Sequence, residues 1–269
     1  MSQLILITND DGVQAKGIRT LARLMATLGE VYVVAPDSAR SGASCSFTPT
    51  QPVRLCPLET EAGVHYYSCS GTPVDCVKLA CEHALPAAPD LLVSGINHGD
   101  NASVNIHYSG TMGAVFEGCM KGIPSIGFSL RTFDPQADFT PYEDAIVKIS
   151  RTILQQGLPI HTCLNVNFPE VSQLQGIRAT RMVRSQWSNE WIALKDPAQK
   201  GLFKIAGDFT CLEPDATDGD IWALDHGFAS VTPIHLDMTD YDCLEKLNTM
   251  YNSFASSCLL GVNSLKVSK

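Results

Sequence analysis

Short apolar runs alternate with helical patterns through the first 168 residues, and this alternation constrains the fold more than any other feature of the chain. Residues 4–8 form a nearly continuous apolar run, as expected of a strand buried in a parallel sheet. Apolar residues then recur at helical spacing over residues 18–28, and Gly29 is a suitable helix end. This alternation predicts an α/β fold with a parallel sheet and helices on both faces, whose sites lie beyond the carboxyl ends of the strands.

The same two patterns continue to residue 168. The further predicted strands are residues 31–35, 53–56, 64–69, 91–94, a strand within 123–130, and 162–168. The further predicted helices are residues 73 to about 82, about 111 to 121, and 142–155. Thr72 and Pro73 mark the start of one helix, since threonine caps a helix and proline suits its first turn.

The pattern changes after Pro169, where the candidate strands become shorter and more polar. A late strand ends at residues 230–234, and residues 239 to about 260 form a predicted helix. A hairpin plus helix appended to a finished sheet favours oligomerisation, and packing on its own subunit is the alternative. We expect a catalytic core over residues 1–169. Residues 170–269 then hold the rest of the core and a C-terminal oligomerisation extension, within one continuous domain.

Composition excludes several classes of protein. The chain has 269 residues and a formal net charge of −9, which argues against an electrostatic nucleic-acid binder. No run is long enough for a membrane-spanning helix, and no signal-peptide pattern is visible. The ten cysteines are scattered without a C-x-x-C pair, as expected of reduced core residues. These features predict a cytoplasmic protein without a zinc cluster.

Two adjacent carboxylates, Asp10 and Asp11, end the first apolar run. Two carboxylates held next to each other at the end of a strand repel, and each raises the pKa of the other unless something neutralises them. A divalent cation is the simplest neutraliser, so these residues predict a metal site at the end of the strand. The alternative is a turn, because the segment Asn-Asp-Asp-Gly also suits a loop.

Two further strand-end loops offer oxygen ligands, Ser41 in one and Asn97 with Asn101 in the other. Carboxylate, hydroxyl and amide oxygens suit hard cations such as Mg²⁺ or Mn²⁺ rather than zinc. Three such loops beside one another strengthen the metal hypothesis beyond the aspartate pair. Local hydrogen bonding within turns is the alternative role for Ser41 and Asn97.

The segment Ser109, Gly110 and Thr111 opens a predicted helix, whose positive end could hold an anion. Helix capping is the alternative, since these residue types are common caps. His98 and His107 flank the region and are candidate acids only if a proton-transfer partner lies within reach. A second acidic cluster is expected in a solvated loop and is assigned no metal; it comprises Asp215, Asp218 and Asp220.

Taken together, these motifs resemble the SurE stationary-phase survival family of metal-dependent nucleoside-monophosphate phosphatases. The matching segments are Asn9-Asp10-Asp11-Gly12-Val13 with Gly17-Ile18, Ala35-Pro36-Asp37 with Arg40-Ser41-Gly42-Ala43-Ser44, Gly71-Thr72-Pro73-Val74-Asp75-Cys76-Val77, Ser94-Gly95-Ile96-Asn97 with Gly99 and Asn101, Tyr108-Ser109-Gly110-Thr111 with Glu117-Gly118, and Ser230-Val231-Thr232-Pro233. Lys16 stands where the family often has proline, and Cys45 stands where a polar residue is usual. Residues 170–215 match poorly.

The resemblance implies a divalent metal and a phosphate pocket at the positions singled out above. The implied metal ligands are Asp10, Asp11, Ser41 and Asn97. The implied phosphate contacts are Asn101, Ser109, Gly110 and Thr111. The resemblance also implies a Rossmann-like fold whose C-terminal extension is exchanged between subunits of a homodimer or tetramer.

The sequence therefore predicts a divalent-metal-dependent phosphomonoesterase, a 5′-nucleotidase that hydrolyses nucleoside 5′-monophosphates, with 3′-monophosphates as further candidate substrates. Asp10 or Asp11 would position or deprotonate the attacking water, and a covalent aspartyl-phosphate route is the alternative. A receiver-like module is a second reading, but residues 94–97 stand where its acceptor aspartate is expected. A third is a nucleotide-binding protein without turnover, although no G-x-G-x-x-G follows the first strand.

Overall fold

The computed structural model describes the backbone of residues 3–195 and 201–262, with side chains as far as Tyr251. The strands are β1 (Leu4–Thr8), β2 (Glu30–Pro36), β3 (Leu55–Pro57), β4 (His65–Cys69), β5 (Leu91–His98), β6 (Ser125–Leu130), β7 (Thr162–Phe168), β8 (Gly176–Ala179), β9 (Ser185–Ser188), β10 (Trp191–Ala193), β11 (Phe203–Ile205), β12 (Asp208–Cys211) and β13 (Phe228–His235). The helices are α1 (Lys16–Met25), α2 (Pro73–Leu79), α3 (Gly110–Met120), α4 (Glu143–Gln156), α5 (Asp220–Asp225) and α6 (Tyr241–Val262). None of these described helices is long and apolar enough to cross a membrane.

Within the described residues, nine strands form the main sheet in the order β3-β4-β2-β1-β5-β6-β7-β13-β8. The six consecutive strands from β4 to β7 are parallel to one another. The edge strand β3 is antiparallel to β4, and β13 is antiparallel to β7. The predicted fold class, a Rossmann-like parallel sheet, is confirmed by this topology.

Helices cover both faces of the sheet, as predicted. Alternate residues of β1 point to opposite faces, so Ile5 and Ile7 pack in one core and Leu6 in the other. The first core includes the apolar stripes of α1 and α4, and the second includes residues of α2 and α3. Because β1 is covered on both sides, its five residues are all buried, which explains its continuous apolar run.

Strand β5 is longer than the predicted residues 91–94. It continues to His98 with an irregularity in its register between Ser94 and Asn97, so Asn97 lies in the strand rather than in the following loop. Gly95 makes this possible, because its φ is +128° and an added Cβ would lie 2.2 Å from the carbonyl oxygen of Phe128. Beyond the irregularity, the end of β5 contacts the turn after β1, where the His98 N–H donates to Asp11 at 3.3 Å.

The Thr72 cap is confirmed, because its hydroxyl accepts from the backbone N–H of Asp75 while Asp75 accepts from the Thr72 N–H. The helix that follows is shorter than predicted. α2 ends at Leu79, and a wider π-helical turn, Ala80–Ala84, replaces its last residues.

The late strand is β13, and it belongs to the main sheet, between β7 and β8. The pairing of β13 with β8 ends at Val231, so Pro233 is paired with β7 alone. Proline, which has no N–H to donate, is tolerated at such a position. The antiparallel two-stranded ribbons, β9 with β12 and β10 with β11, precede α5. The predicted C-terminal hairpin is thus present, within residues 185–211 and upstream of α5. Residues 237–269 form a separate compact unit that contains α6, close to its predicted bounds.

Candidate functional site

Three adjacent strands, β2, β1 and β5, bring their carboxyl ends to one edge of the sheet. The turn after β1 is built by Asn9 and Gly12 rather than by the aspartates. The Asn9 side chain donates to the Gly12 carbonyl at 3.0 Å and accepts from the Gly12 N–H at 3.1 Å, and Gly12 has a φ of +100°. Because asparagine supplies the turn chemistry, the carboxylates of Asp10 and Asp11 are left for another role.

Asp10 is 4% exposed, and its Oδ1 accepts a hydrogen bond of 2.5 Å from the hydroxyl of Thr111 at the start of α3. Burial raises the pKa of Asp10 to about 6; the Thr111 hydrogen bond opposes this rise, and the neighbouring charge of Asp11 adds to it. Gly110 lies against the same side chain, since an added Cβ would stand 2.9 Å from the Cβ of Asp10. The structure thus joins the predicted carboxylate site to the predicted anion site.

Asp11 is less buried than Asp10, with its side chain 19% exposed. Its Oδ2 lies 3.3 Å from the backbone nitrogen of His98 and 3.5 Å from Nδ1 of the same residue. The two carboxylates therefore have different partners, a hydroxyl from α3 for Asp10 and the end of β5 for Asp11. His107 is exposed, and its carbonyl accepts from the Ser44 hydroxyl.

Asn97 and Ser41 are the two predicted neutral ligands. The side-chain nitrogen of Asn97 donates to the carbonyl of Gly99 at 2.8 Å, which leaves its amide oxygen for a cation. Ser41 is an exposed residue in the loop after β2. That loop is tied to β1 by its preceding residue, because the Arg40 N–H donates to the Asp10 carbonyl at 2.6 Å.

The predicted phosphate contacts already have internal partners. The Ser109 hydroxyl caps α3 by accepting from the N–H of Met112 at 3.1 Å, and the Thr111 hydroxyl donates to Asp10. Asn101 is buried and donates from Nδ2 to the Ser129 hydroxyl at 2.8 Å. The backbone N–H of Thr111 also bonds to Asp10. What α3 still offers an anion is its positive end and the N–H of Gly110, which has no acceptor within the helix.

Sequence reasoning missed the buried network that holds Asn101. Its N–H donates to Asn167 at 2.7 Å and its carbonyl accepts from Asn165 at 2.8 Å, while Asn167 donates to Asn165 at 2.9 Å. Both asparagines lie in β7. Their alternation within a buried apolar strand was the signal in the sequence that could have pointed to them.

The expectation of a solvated acidic cluster is wrong for Asp220. This residue is fully buried and accepts backbone hydrogen bonds from Ser103, Val183 and Ile221. Burial raises the pKa of Asp220, and these three hydrogen bonds oppose the rise. The carboxylate therefore anchors the loop after β5 to the segment after β8, a contact between residues far apart in the chain.

The donor set fits a hard divalent cation. Two carboxylates, an amide oxygen and a hydroxyl are oxygen ligands only, and the raised pKa of Asp10 indicates a buried charge that lacks a full neutraliser. Among the described residues, no group of three or more His, Cys, Asp or Glu side chains is arranged to hold a metal. The candidate site has two acidic ligands, so the rest of its coordination must come from neutral oxygens.

The fold and the site together define an α/β protein with an oxygen-ligand centre and a helix N-terminus at the carboxyl edge of its parallel sheet. The sequence pattern of the family described as "Survival protein SurE" matches residues 5–189. The chain belongs to this SurE family, which confirms the resemblance inferred from the motifs.

Similar proteins cover nearly the whole chain. A protein of Bacteroides thetaiotaomicron named 5′-nucleotidase SurE is 49% identical over 245 residues, which are 91% of this chain and 95% of that protein. A protein of the same name from Phocaeicola vulgatus is 48% identical over 244 residues, with the same coverage of both chains. The crystal structure of the SurE protein from Aquifex aeolicus has a TM-score of 0.79 and 35% identity, covering 92% of this chain and 99% of that one.

Proposed function

We propose that this protein is a divalent-metal-dependent phosphatase that hydrolyses nucleoside 5′-monophosphates to nucleoside and phosphate. The observation that carries the proposal is the contact between Asp10 and Thr111, which joins a strand-end carboxylate pair to the N-terminus of α3. A cation site beside an anion site is what a phosphate ester requires. The name 5′-nucleotidase, carried by the relatives, supports this reaction class and substrate.

The residues that would hold the metal are Asp10, Asp11, Ser41 and Asn97, and oxygen-only ligands favour Mg²⁺ or Mn²⁺. When bound, such a cation supplies charge stabilisation for the phosphoryl oxygens and a more acidic water. The phosphate would lie against Ser109, Gly110 and Thr111, with Asn101 beside them.

Asp10 and Asp11 are the proposed catalytic residues. In the hydrolytic route a water oxygen attacks phosphorus, one aspartate accepts the proton of that water, and the ester P–O bond breaks as the leaving nucleoside oxygen takes a proton from that aspartic acid or from solvent. The alternative is attack on phosphorus by an aspartate, followed by hydrolysis of the aspartyl phosphate. Acid quenching during turnover of a ³²P-labelled nucleotide separates the routes, because only the second leaves label on the protein.

Two exposed aromatic rings at the same edge could receive the base. Phe133 is 87% exposed and its ring lies against Gly99, while Tyr108 is 58% exposed and precedes Ser109. Bases stack on aromatic side chains with a gain of about 1–3 kcal/mol each. We expect Phe133→Leu to lower kcat/KM for nucleotides by at least about fivefold and to leave kcat/KM for ribose 5-phosphate unchanged. Equal losses for both substrates would rule out a stacking role.

The test of the function is phosphate release from nucleoside 5′- and 3′-monophosphates and from simple phosphate esters, with Mg²⁺, Mn²⁺ or excess EDTA. We expect release from nucleotides with metal and none after chelation. Full activity in EDTA, with no metal in the protein, would overturn the metal-dependent mechanism. Binding of nucleotides without any phosphate release would instead favour the non-enzymatic readings.

We also propose self-association as a homodimer or tetramer, with residues 1–169 as the catalytic core and the C-terminal extension as the contact surface. Supporting observations are the exposed apolar side chains of α6, Leu244, Leu247 and Tyr251. In the other compact unit, the β10 and β11 ribbon exposes Trp191 and Phe203. A cytoplasmic location is proposed because every described cysteine is a free thiol.

A further inference from the structure

Lys16, the first residue of α1, reaches across to the loop of residues 131–142 that follows β6. Its Nζ donates to the carbonyl of Ala137 at 2.7 Å and to that of Gln136 at 3.2 Å. The same ammonium group lies 6.0 Å from the centre of the Phe139 ring. One side chain thus contacts three successive parts of this loop, through two charge-assisted hydrogen bonds and a cation–π contact.

The start of α1 is a firm anchor for this contact. Gly17, the next residue, is pressed against β5 so closely that an added Cβ would lie 2.1 Å from the carbonyl oxygen of Ile96. Interiors packed this tightly transmit small displacements rather than absorb them. Lys16 therefore holds the loop against a fixed part of the sheet, next to Asn97.

The loop in turn packs on His98. Phe139 is 2% exposed, and its ring meets the His98 imidazole edge to face, with centroids 5.7 Å apart and an angle of 73° between the planes. Nε2 of His98 is buried and finds no hydrogen-bond partner among the described residues. The imidazole therefore has two neighbours. The Phe139 ring packs against it edge to face, and the Asp11 carboxylate lies at its Nδ1.

We propose that Lys16, Phe139 and His98 form a positioning relay for Asp11. Lys16 fixes the loop, the loop fixes the imidazole through Phe139, and His98 directs the Asp11 carboxylate with its backbone N–H and its ring. The relay rests on the proposed function, because it matters only if Asp11 is a metal ligand. These residues act through Asp11 and are positioning rather than catalytic residues. Groups that orient metal ligands typically change metal affinity about 10- to 100-fold when they are removed.

The first test is Mn²⁺ binding to the metal-free protein, measured by calorimetry. His98→Ala should weaken binding about tenfold, and Lys16→Met, which acts one step further away, at least about threefold. For Lys16→Met, the direction of the change in Mn²⁺ affinity is decisive. Loss of a positive charge near a cation site strengthens cation binding by Coulomb's law, so weaker binding by a variant that is still folded indicates lost positioning. Lys16→Arg can still donate to both carbonyls and should restore binding.

Lys148→Met is the matched control, because Lys148 is exposed on α4 and the substitution removes the same charge. It should not weaken Mn²⁺ binding. Phe139→Leu keeps an apolar side chain but loses the aromatic contact with His98. Like Lys16→Met, it should weaken Mn²⁺ binding. The midpoint of denaturant unfolding, measured for each variant, separates this effect from loss of folding.

The second test is a double-mutant cycle. If Lys16 acts through His98, Lys16→Met combined with His98→Ala should bind Mn²⁺ no more weakly than His98→Ala alone. Fold-changes that multiply would overturn the relay, as would unchanged or tighter binding by Lys16→Met. Asp11→Asn separates failure of the proposed metal site from failure of the relay. If it binds Mn²⁺ like the wild type, the proposed metal site fails; if it weakens binding and Lys16→Met does not, only the relay fails.

Discussion

Asp10 and Asp11 follow one another in the chain, yet the fold gives them different surroundings. Asp10 is buried against α3 and shares a hydrogen bond with Thr111, whereas Asp11 is partly exposed beside His98. The Asp10 charge is therefore costly without a cation, while Asp11 remains open to solvent and substrate. Predictions at the scale of the residue follow from this difference.

Asp10→Asn and Asp11→Asn remove one charge each at nearly constant volume. We expect losses in kcat/KM on the order of 100-fold or more for either variant, because each removes a carboxylate from the cation. Steady-state kinetics together with Mn²⁺ affinity measure the effect. Asp215→Asn is the matched control, since Asp215 is exposed and outside the site. A variant that keeps both wild-type turnover and wild-type affinity would show that its aspartate is not a ligand.

The raised pKa of Asp10 predicts a pH dependence of stability in the metal-free protein. The native pKa of about 6 lies above the ordinary aspartate pKa of 3.8, so between these pH values the native state binds more protons than the unfolded state. The free energy of unfolding should therefore fall as pH rises from about 4 to 6, by about 3 kcal/mol in all.

Denaturant unfolding in EDTA at pH 5 and 7.5 tests this prediction. Asp10→Asn should lack the part of the pH dependence that comes from Asp10, and at pH 7.5 its free energy of unfolding should exceed that of the wild type. Contributions from Asp220 and other groups are the same in both proteins and cancel in the comparison. Mn²⁺ should stabilise the wild type more at pH 7.5 than at pH 5, because protons compete with the cation. Identical pH profiles for wild type and variant would contradict the buried charge.

At the scale of the element, the site depends on how closely α3 approaches its neighbours. Gly110 lies against Asp10, and an added Cβ at Gly113 would stand 2.1 Å from the carbonyl oxygen of Ser44. These two glycines allow the N-terminal half of α3 to lie between the end of β1 and the loop after β2. The anion-binding end of the helix therefore meets the aspartate pair.

Gly110→Ala should displace the Asp10 side chain, because the new methyl group would lie 2.9 Å from the Asp10 Cβ and 3.0 Å from its Oδ2. Overpacking of this kind costs about 1–3 kcal/mol, so we expect a lower unfolding free energy and weaker Mn²⁺ binding. Gly63→Ala is the comparison for Mn²⁺ binding, since an added Cβ there meets nothing within 4 Å; its φ of +81° means that this variant too should lose stability, but without weaker Mn²⁺ binding. If Gly110→Ala binds Mn²⁺ normally, the contact between α3 and β1 does not shape the metal site.

At the scale of the whole molecule, the proposed metal ligands and α6 belong to different compact units of the chain. Truncation after Ile221 would remove β13, which lies between β7 and β8 in the main sheet, and would damage the fold itself. Residues 237–269 form a compact unit of their own, and none of the described strands of the main sheet belongs to it. A test of assembly therefore belongs on α6 of the full chain.

Leu244→Glu combined with Leu247→Glu should lower the sedimentation coefficient to that of a monomer, because charges would replace an exposed apolar stripe at helical spacing. Thr249→Glu, exposed on the opposite side of α6 by helical spacing, is the control for added charge. Mn²⁺ binding should change much less than assembly does, since the predicted ligands are far from α6 in the chain. A monomeric wild type would refute exchange between subunits, and an oligomeric double variant would place the interface elsewhere.

The sequence by itself determined the parallel sheet, because strands covered on both faces must be apolar throughout, as β1 is. It also determined the cap at Thr72 and the candidate ligands, since turn, cap and ligand chemistry depend on a few neighbouring residues. The motifs identified the SurE family for the same reason. Local rules did not reveal that β5 continues to Asn97, because that extension depends on how Gly95 packs against Phe128.

Only the tertiary structure decided which groups meet. Asp10 with Thr111, Asp11 with His98, Lys16 with Ala137 and Asp220 with Ser103 are pairs separated by many residues in the chain. Tertiary packing also buried Asp220, whose place between shorter strands had suggested a solvated loop, and placed β13 between β7 and β8. The physical reason is that burial and long-range hydrogen bonds depend on the packing of the whole sheet and its helices, which no local pattern encodes.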